Sequence, residues 1–469
     1  MKFRMRMLSS HHRQLTDLLS DSTREQACFL VCRTAKGESE TLILVHDVVA
    51  LHDGELLVHA PDQLSVSPQG MLRVVRAAQQ ADASICMVHT HPMCIGEVDF
   101  SLADDIGNSR TFEFFNRMLP GKLNSCLVWD RELRCVAGRV YTTSTDWLPI
   151  ESVDVIGDNN RLQLVSRIES ISPAQNQIYE RQVRILGAEG QRIAASLRVG
   201  VIGCGGIGSV AATVLGHSGV SDLTLVDFDV VEKTNLPRLL GAHQADAEDN
   251  LRKVAVLQRE LKLQNPQSRI RCISVPVEDP SILGSLVELD ALVCATDDTT
   301  SRAYLNQLCQ QYYVPLLDLG VQFVADPETG QLVREIGKVN LVLPGSPCLS
   351  CVGHIDGRVL AEEGLPPEVR NRRRAEGYIR GEGVPEPAMM VFNMQIAGRG
   401  IQLLLAWATG LHTVNTTAYE RFSFLGLAGS QRISPTRKHA DNECPICSAA
   451  SLIRGAGDRH SMLVRARPK

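Results

Sequence analysis

Between residues 25 and 145 the apolar positions fall in short runs: ACFLVC, TLILVHDVVAL, ASICMVHTH, SCLVWD and LRCVAGRVY. Runs of this length, rich in branched residues and bounded by polar turns, predict strands. One segment differs. SPQGMLRVVRAAQQA, at 67–81, has helical spacing behind a Ser-Pro start and predicts an amphipathic helix between about 65 and 80. From about residue 173 strands and helices alternate. LRVGVIGCG reads as a strand entering a glycine turn and SVAATVLGHSG as a helix. DLTLVDFD and DALVCATDD read as further strands, and LRKVAVLQRELKLQ and TSRAYLNQLCQQYY as helices. Alternation of this kind predicts a parallel, doubly wound sheet. Weak periodicity marks 148–172 as a linker, which divides the chain into an α/β domain over 1–147 and a second over 173–469. Residues 352–387, rich in Arg, Glu, Pro and Gly, interrupt the alternation and predict an excursion over the second domain.

Composition narrows the function only by exclusion. The 469 residues are 44% hydrophobic and 22% charged, with a formal charge of −5, which argues against a nucleic-acid-binding surface. No stretch reads as a membrane span, and MKFRMRMLSSHHRQ lacks the apolar segment of a signal peptide. The 14 cysteines include two C-x-x-C pairs, Cys348/Cys351 and Cys444/Cys447, and the others are scattered in apolar runs. A reducing cytoplasm is the expected setting.

Two constellations carry chemistry. In the first half, His89 and His91 lie two apart at the end of an apolar strand, so both project from one face. Paired imidazoles suit zinc, and Asp104 offers a third ligand, with Asp105 a lesser candidate. Glu25 is placed to act as general base toward a water at the metal, and Ser101 to hydrogen-bond a developing oxyanion. In the second half, VIGCGGIGS satisfies G-x-G-x-x-G through Gly203, Gly205 and Gly208, with Gly206 between them and Asp227 ending the next strand. Taken alone, that motif fits NAD as well as ATP. Asn235 and Arg238 lie three apart on an expected helix facing the loop, Lys253 follows one helix later and Asp297 ends a later strand. An Arg, a Lys and a carboxylate gathered on a triphosphate suit adenylation, and a hydride-transfer site does not need them. The four paired cysteines suit a closed structural zinc site.

Glu25, the His89-x-His91-Pro92 run, Ser101 and Asp104 together resemble the JAMM (MPN/JAB) metalloprotease family, over roughly 20–140. That resemblance implies cleavage after the C-terminal glycine of a ubiquitin-like protein. Nine residues separate His91 from Ser101, against seven in the commonest family pattern. Residues 173–450 resemble the ThiF/MoeB/HesA adenylyltransferases and the adenylation domain of ubiquitin-activating enzymes. By that resemblance, 203–208 cradle the phosphates, Asp227 binds the ribose, Asn235, Arg238 and Lys253 contact the phosphates, and Asp297 holds Mg2+. Arg181, in IYERQVRILG, reaches into a partner subunit, which implies a homodimer. Leu239 stands where relatives carry Gln.

The segment 352–387, where conjugating relatives place a catalytic cysteine, has no Cys, Ser or Thr. Three readings stay open. The enzyme stops at an acyl-adenylate, a cysteine elsewhere such as Cys204 or Cys309 moves in, or a conjugating protein attacks the adenylate directly. The implied substrate is a ubiquitin-like or sulfur-carrier protein ending in glycine, with a sulfur donor or conjugating enzyme downstream. The fusion suggests processing and activation in series, or activation paired with an isopeptidase that removes the tag.

Overall fold

The computed structural model describes residues 2–61, 63–143, 145–157, 160–165, 178–325, 329, 332–375, 388–411, 419–423, 431–433 and 442–462. The first half contains β1 (Lys2–Leu8), α1 (Ser9–Leu18), β2 (Ala27–Lys36), β3 (Glu40–Ala50), β4 (Leu56–His59), β5 (Leu64–Val66), α2 (Pro68–Gln80), β6 (Ser84–His91), α3 (Leu102–Met118), β7 (Ser125–Asp130), β8 (Val136–Tyr141), β9 (Trp147–Ile156) and β10 (Arg161–Leu164). The sheet order is β1-β3-β2-β6-β7-β8-β9-β10, and β1 also pairs with β9, which closes the sheet into a ring. Its lumen is filled by Met5, Met7, Leu30, Val88, Leu127 and Trp129. The helix expected at 65–80 is α2: Ser67 caps it by accepting from the Gly70 amide, and Pro68 opens it.

The expected linker is not one over its first part. Residues 147–156 form β9, which zips to β1 from Phe3↔Ile150 to Leu8↔Ile156, and β10 follows. Its weak periodicity has a physical cause, since a strand paired on both edges near a domain boundary buries residues on both faces. Residues 166–177 of that expected linker lie outside the described residues.

The second half contains α4 (Glu180–Ser196), β11 (Arg198–Ile202), α5 (Gly206–His217), β12 (Asp222–Val226), α6 (Gln244–Glu248), α7 (Lys253–Gln264), β13 (Arg269–Ile273), α8 (Leu283–Val287), β14 (Ala291–Cys294), α9 (Thr299–Tyr312), β15 (Leu316–Ala325), β16 (Leu332–Val342), α10 (Gly357–Glu363), α11 (Pro367–Ala375), α12 (Met390–Thr409), β17 (Tyr419–Ser423) and β18 (Gln431–Ile433). The sheet order is β13-β12-β11-β14-β15-β16-β17-β18. The first five strands are parallel, as expected from the alternation, and the order reverses between β11 and β14. An antiparallel edge, β16 to β18, was not foreseen. Of the excursion, 357–375 is largely helical, and 376–387 lies outside the described residues. No helix among the described residues is long and apolar enough to cross a membrane.

The halves share one interior. Leu8, Ala35, Leu42 and Leu44 pack in a single cluster with Leu292, Leu305, Tyr313 and Val314. Burying this apolar face is what makes the two sheets one body.

Candidate functional site

The first candidate centre sits where β6 ends. His89 Nε2 lies 3.0 Å from Asp104 Oδ1, and His91 Nε2 lies 3.2 Å from Asp104 Oδ2. The ligand atoms of the three residues all fall within 4.8 Å of one another. His89 is buried; its Nε2 faces Asp104, while its Nδ1 has no hydrogen-bond partner. A buried ring nitrogen without a partner is costly. The donor set of two imidazoles and one carboxylate is that of a catalytic zinc site with an open position, so these residues fit the ion. Burial alone raises the Asp104 carboxyl, but the His89 and His91 imidazoles outweigh it and hold the group well below the usual carboxylate range. Burial lowers His91, and Asp104 more than reverses that.

Asp104 is aimed by the start of α3. Ser101 and Asp104 form a capping box: Ser101 Oγ accepts from the Asp104 amide at 3.2 Å, while Asp104 Oδ2 accepts from the Ser101 amide at 2.6 Å. The Ser-x-x-Asp spacing is thus a helix start that also turns a carboxylate toward two histidines. Ser101 Oγ donates to Asp104 Oδ2 at 2.8 Å, so the oxyanion role expected of it requires the hydroxyl to turn. Asp105 points elsewhere and pairs with Arg139 at 2.5 Å. Glu25 lies two residues ahead of β2, the strand beside β6. The Gln26 amide donates to Thr90 Oγ1 and the Thr90 amide to Gln26 O, and Ala27 registers with His89. Continuing that register sets Glu25 opposite His91, and its charge contributes to the raised His91 value.

The second candidate centre lies at the reversal of strand order, where ligands of doubly wound sheets bind. Gly203 follows β11 with φ +85°, and a Cβ there would sit 2.8 Å from Ala295 O. Only glycine tolerates that backbone and that approach. Gly208 lets α5 start against the loop, since a Cβ would fall 1.8 Å from Gly203 O. Around Gly205 nothing lies within 4 Å of the Cβ position, and Gly206 packs on Asn393. The loop therefore presents the N-terminus of α5 to open space, an arrangement suited to phosphate.

Several of the other expected residues lie near it. Asp227 Oδ2 accepts from the Cys204 amide at 2.7 Å, and burial raises its carboxyl above the ordinary value. Lys253, at the start of α7, bonds Asp229 Oδ2 at 2.7 Å and lies in the field of Asp227. The Arg238 backbone lies against the loop, its carbonyl 3.3 Å from a Cβ built on Gly206. Asp297 follows β14 and is exposed, on the segment whose Ala295 carbonyl abuts Gly203. Asn235 and Arg238 are not on a helix as expected. Lys233–Asn235 is one 3-10 turn, closed by Asn235 Oδ1 accepting from the Glu232 amide, and Pro237 directly follows Leu236. Leu239, in place of Gln, is a core residue packed with Val231 and Val256. Arg181 is not brought to this site. Its helix packs at the far end of α5, where Gln182 donates to His217 O, and Arg181 is exposed.

Residues without a sequence signal also shape the site. Glu363, at the end of α10, accepts from the Thr299 and Thr300 amides at 2.9 and 2.7 Å and from Thr300 Oγ1 at 2.7 Å. The excursion is thereby fastened two residues from Asp297. Beneath, Arg302 donates to Thr296 O at 2.6 Å and to Asp318 Oδ1 at 3.0 Å. Asn340 Nδ2 continues the chain to Asp318 and to His354 Nδ1. Cys204 and Cys309 are fully buried, and burial pushes both thiols well above their ordinary value.

The four paired cysteines do meet. Cys348 Sγ lies 3.8 Å from Cys351 Sγ and from Cys444 Sγ, and Cys351 Sγ lies 3.5 Å from Cys447 Sγ. Four thiols converging in a mostly buried knot fit a structural zinc ion.

Comparison with known proteins bears on the second half. The ThiF family model matches residues 179–446. Molybdopterin-synthase adenylyltransferase of Escherichia coli (strain K12) is 30% identical over 183 residues, covering 38% of this chain and 68% of that protein. The SAMP-activating enzyme E1 of Haloferax volcanii is 28% identical over 185 residues, 39% of this chain and 64% of that protein. Among solved structures, the microcin C7 biosynthetic enzyme MccB in complex with N-formylated MccA aligns at 20% identity and a TM-score of 0.47, over 59% of this chain and 76% of that one. With the family match spanning more than half of the chain and the whole second sheet, the chain belongs to the ThiF family.

Proposed function

We propose that the second half uses ATP to adenylate the C-terminal glycine carboxylate of a small ubiquitin-like or sulfur-carrier protein. A glycine carboxylate oxygen attacks the α-phosphorus, the bond to the β-phosphate oxygen breaks, and pyrophosphate leaves. The open glycine loop ringed by Asp227, Arg238, Lys253 and Asp297, within a chain of the ThiF family, carries this reading. Arg238 and Lys253 would steady the phosphates, and Asp297 would hold magnesium, whose charge offsets that of the leaving pyrophosphate. Asp227 would bind the ribose. The names of the two relatives above support a substrate of this class.

The first half is proposed as a zinc peptidase that exposes or releases that glycine. Zinc held by His89, His91 and Asp104 would supply a Lewis acid and a water of lowered pKa. Glu25 takes a proton from the attacking water and returns it to the leaving amine as the C–N bond breaks. The Cys348, Cys351, Cys444 and Cys447 site is structural. Burial of Cys204 and Cys309 favours an adenylate taken by an external acceptor, either a sulfur donor or a conjugating enzyme. Arg181, exposed beside Ile178 at 84% and Ile185 at 69% exposure, supports a homodimer in which it completes the partner's site.

The test is ATP–pyrophosphate exchange with a small ubiquitin-fold protein ending in glycine, with and without extra C-terminal residues. Exchange is expected with the glycine-ended form, and with the extended form only while Glu25 is intact. No exchange with any glycine-ended protein removes the reading.

A further inference from the structure

We infer that the two centres act on different molecules of the small protein: the one seated at the nucleotide loop is not the one being cut at the metal centre. This rests on the function proposed above and sharpens it, because fusion alone suggests a direct hand-off of the freed tail.

The inference comes from where the halves join. On the second half, the contacts lie at the starts of the parallel strands. Arg198 opens β11, Asp290 directly precedes β14 and Tyr313 precedes β15. Arg198 pairs with Glu40 at 2.9 Å, Asp290 with Arg4 at 2.7 Å, and Tyr313 donates to Val45 O at 3.1 Å. The glycine loop, Asp227 and Asp297 follow the opposite ends of β11, β12 and β14. The first half is therefore docked on the edge of the sheet that faces away from the nucleotide crevice.

Within the first half the metal centre is also turned away. β2 begins beside it, with Ala27 registered on His89. At the other end of β2, the Lys36 amide donates to Asp458 Oδ2 at 2.6 Å, and Glu40, just beyond, takes up the contacts with Arg4 and Arg198. A strand of this length spans about 30 Å, and β11 adds about 15 Å on the far side of the join. An extended tail covers about 3.3 Å per residue, so bridging the centres takes on the order of a dozen residues beyond those bound in each.

Nor can the halves hinge to shorten that path at small cost. Arg4 is held by Glu40, Asp154 and Asp290 together, with side chains no more than 7% exposed. Arg6 donates to Val287 O and Leu289 O, each at 2.8 Å. Glu288 reaches back to accept from the Glu40 amide and from Ser39 Oγ. Rotating the join would unpair these buried charges and expose the shared cluster around Leu42 and Tyr313. A small protein whose folded body rests at one centre must leave before its tail enters the other.

The experiment is an isotope chase on the full chain. A labelled ubiquitin-fold protein with a short C-terminal extension is mixed with enzyme, ATP and an excess of unlabelled glycine-ended protein, and the acyl-adenylate is trapped with hydroxylamine. The labelled share of the hydroxamate is expected to equal the labelled share of all free glycine-ended protein at every time. Several-fold enrichment of label overturns the inference. Cleavage of the extended form and exchange on the glycine-ended form are measured separately. Loss of either one removes the underlying functional reading, and the inference with it, while enrichment with both intact overturns the inference alone.

Discussion

Arg4, on the first strand of one half, meets Asp290, ahead of β14 in the other, at 2.7 Å with side chains 7% and 3% exposed. Asp290 also accepts from Arg161 at 3.1 Å and from the Arg198 amide at 2.9 Å. Asp154 bridges Arg4 and Arg161 at 2.5 and 3.0 Å. The cluster is balanced only while every member is present.

Arg4→Ala is therefore expected to destabilise the whole chain by about 3–5 kcal/mol, because it strands buried carboxylates without a cation. Urea unfolding reads this directly. Glu113→Ala, which breaks a surface pair whose side chains are 62% and 71% exposed, serves as the contrast, with a cost below about 1 kcal/mol. Equal costs for the two variants would mean the join is not held by these charges.

The cysteine knot reaches the other half through the segment that follows it. Past Cys447, Gln311 Nε2 donates to Gly457 O at 2.8 Å, a Cβ on Gly457 would lie 2.3 Å from Thr34 O, and Asp458 takes the Lys36 amide. Arg459 donates to Ala81 O at 2.5 Å. Cys444→Ser, or a chelator that strips zinc from the knot, is expected to speed hydrogen exchange at the Lys36 amide at least tenfold. Amides in the middle of β6 should stay protected. An unchanged Lys36 amide would show that the strap holds without the knot.

Glu363 ties the excursion to the segment bearing Asp297. Glu363→Ala frees the Thr299 and Thr300 amides, and losing a helix cap costs about 1 kcal/mol. The expected result is a several-fold higher magnesium requirement in pyrophosphate exchange with little change in Tm. Asp297→Ala should abolish exchange, whereas Cys204→Ser and Cys309→Ser should leave it intact. Exchange reports adenylation alone, so a thioester is read separately, as an acyl-enzyme that survives removal of ATP and is released by added thiol. Finding that species in the unsubstituted chain and losing it in Cys204→Ser or Cys309→Ser would bring a thioester back into consideration.

The parts of this molecule that sequence discloses are the ones written in local spacing. The glycine loop, the His89 and His91 pair and each C-x-x-C pair are set by a few neighbouring residues, and the fold brings the two C-x-x-C pairs together across 96 residues. The parallel sheet was legible because strand and helix periods alternate. What escaped depends on pairing across the chain. β1 and β9 stand about 150 residues apart and close the ring only by meeting each other. Glu363 lies more than sixty residues from the amides it caps, in a segment whose composition reads as loop. The Ser101 and Asp104 spacing reads equally as a helix start, and only the third dimension shows that the capping box also turns Asp104 toward His89 and His91.

Acid should loosen the first half through two histidines. His11 on α1 and His46 on β3 are both lowered from 6.5 to about 4, first by burial, then for His11 by Arg454 and for His46 by Arg33. Each folds in its neutral form, and the unfolded chain binds the proton more readily below 6.5. The stability tied to neutrality is thus complete above pH 6.5 and is lost as pH falls toward 4. For His11, only 8% exposed, the loss amounts to roughly 3 kcal/mol at most. Glu40 works in the opposite direction: burial pushes it up to about 7 against the pull of Arg4, so its contribution is present at low pH and fades as pH rises through 7. The two effects are separable by substitution. His11→Gln is expected to flatten the fall in Tm between pH 6.5 and 4 without changing its value at pH 8 relative to pH 7, whereas Glu40→Gln should make that fall steeper, because it removes a stabilisation that grows as pH drops from 7 to 4.5. An acid limb that is equally steep in His11→Gln would assign the loss to groups other than this histidine.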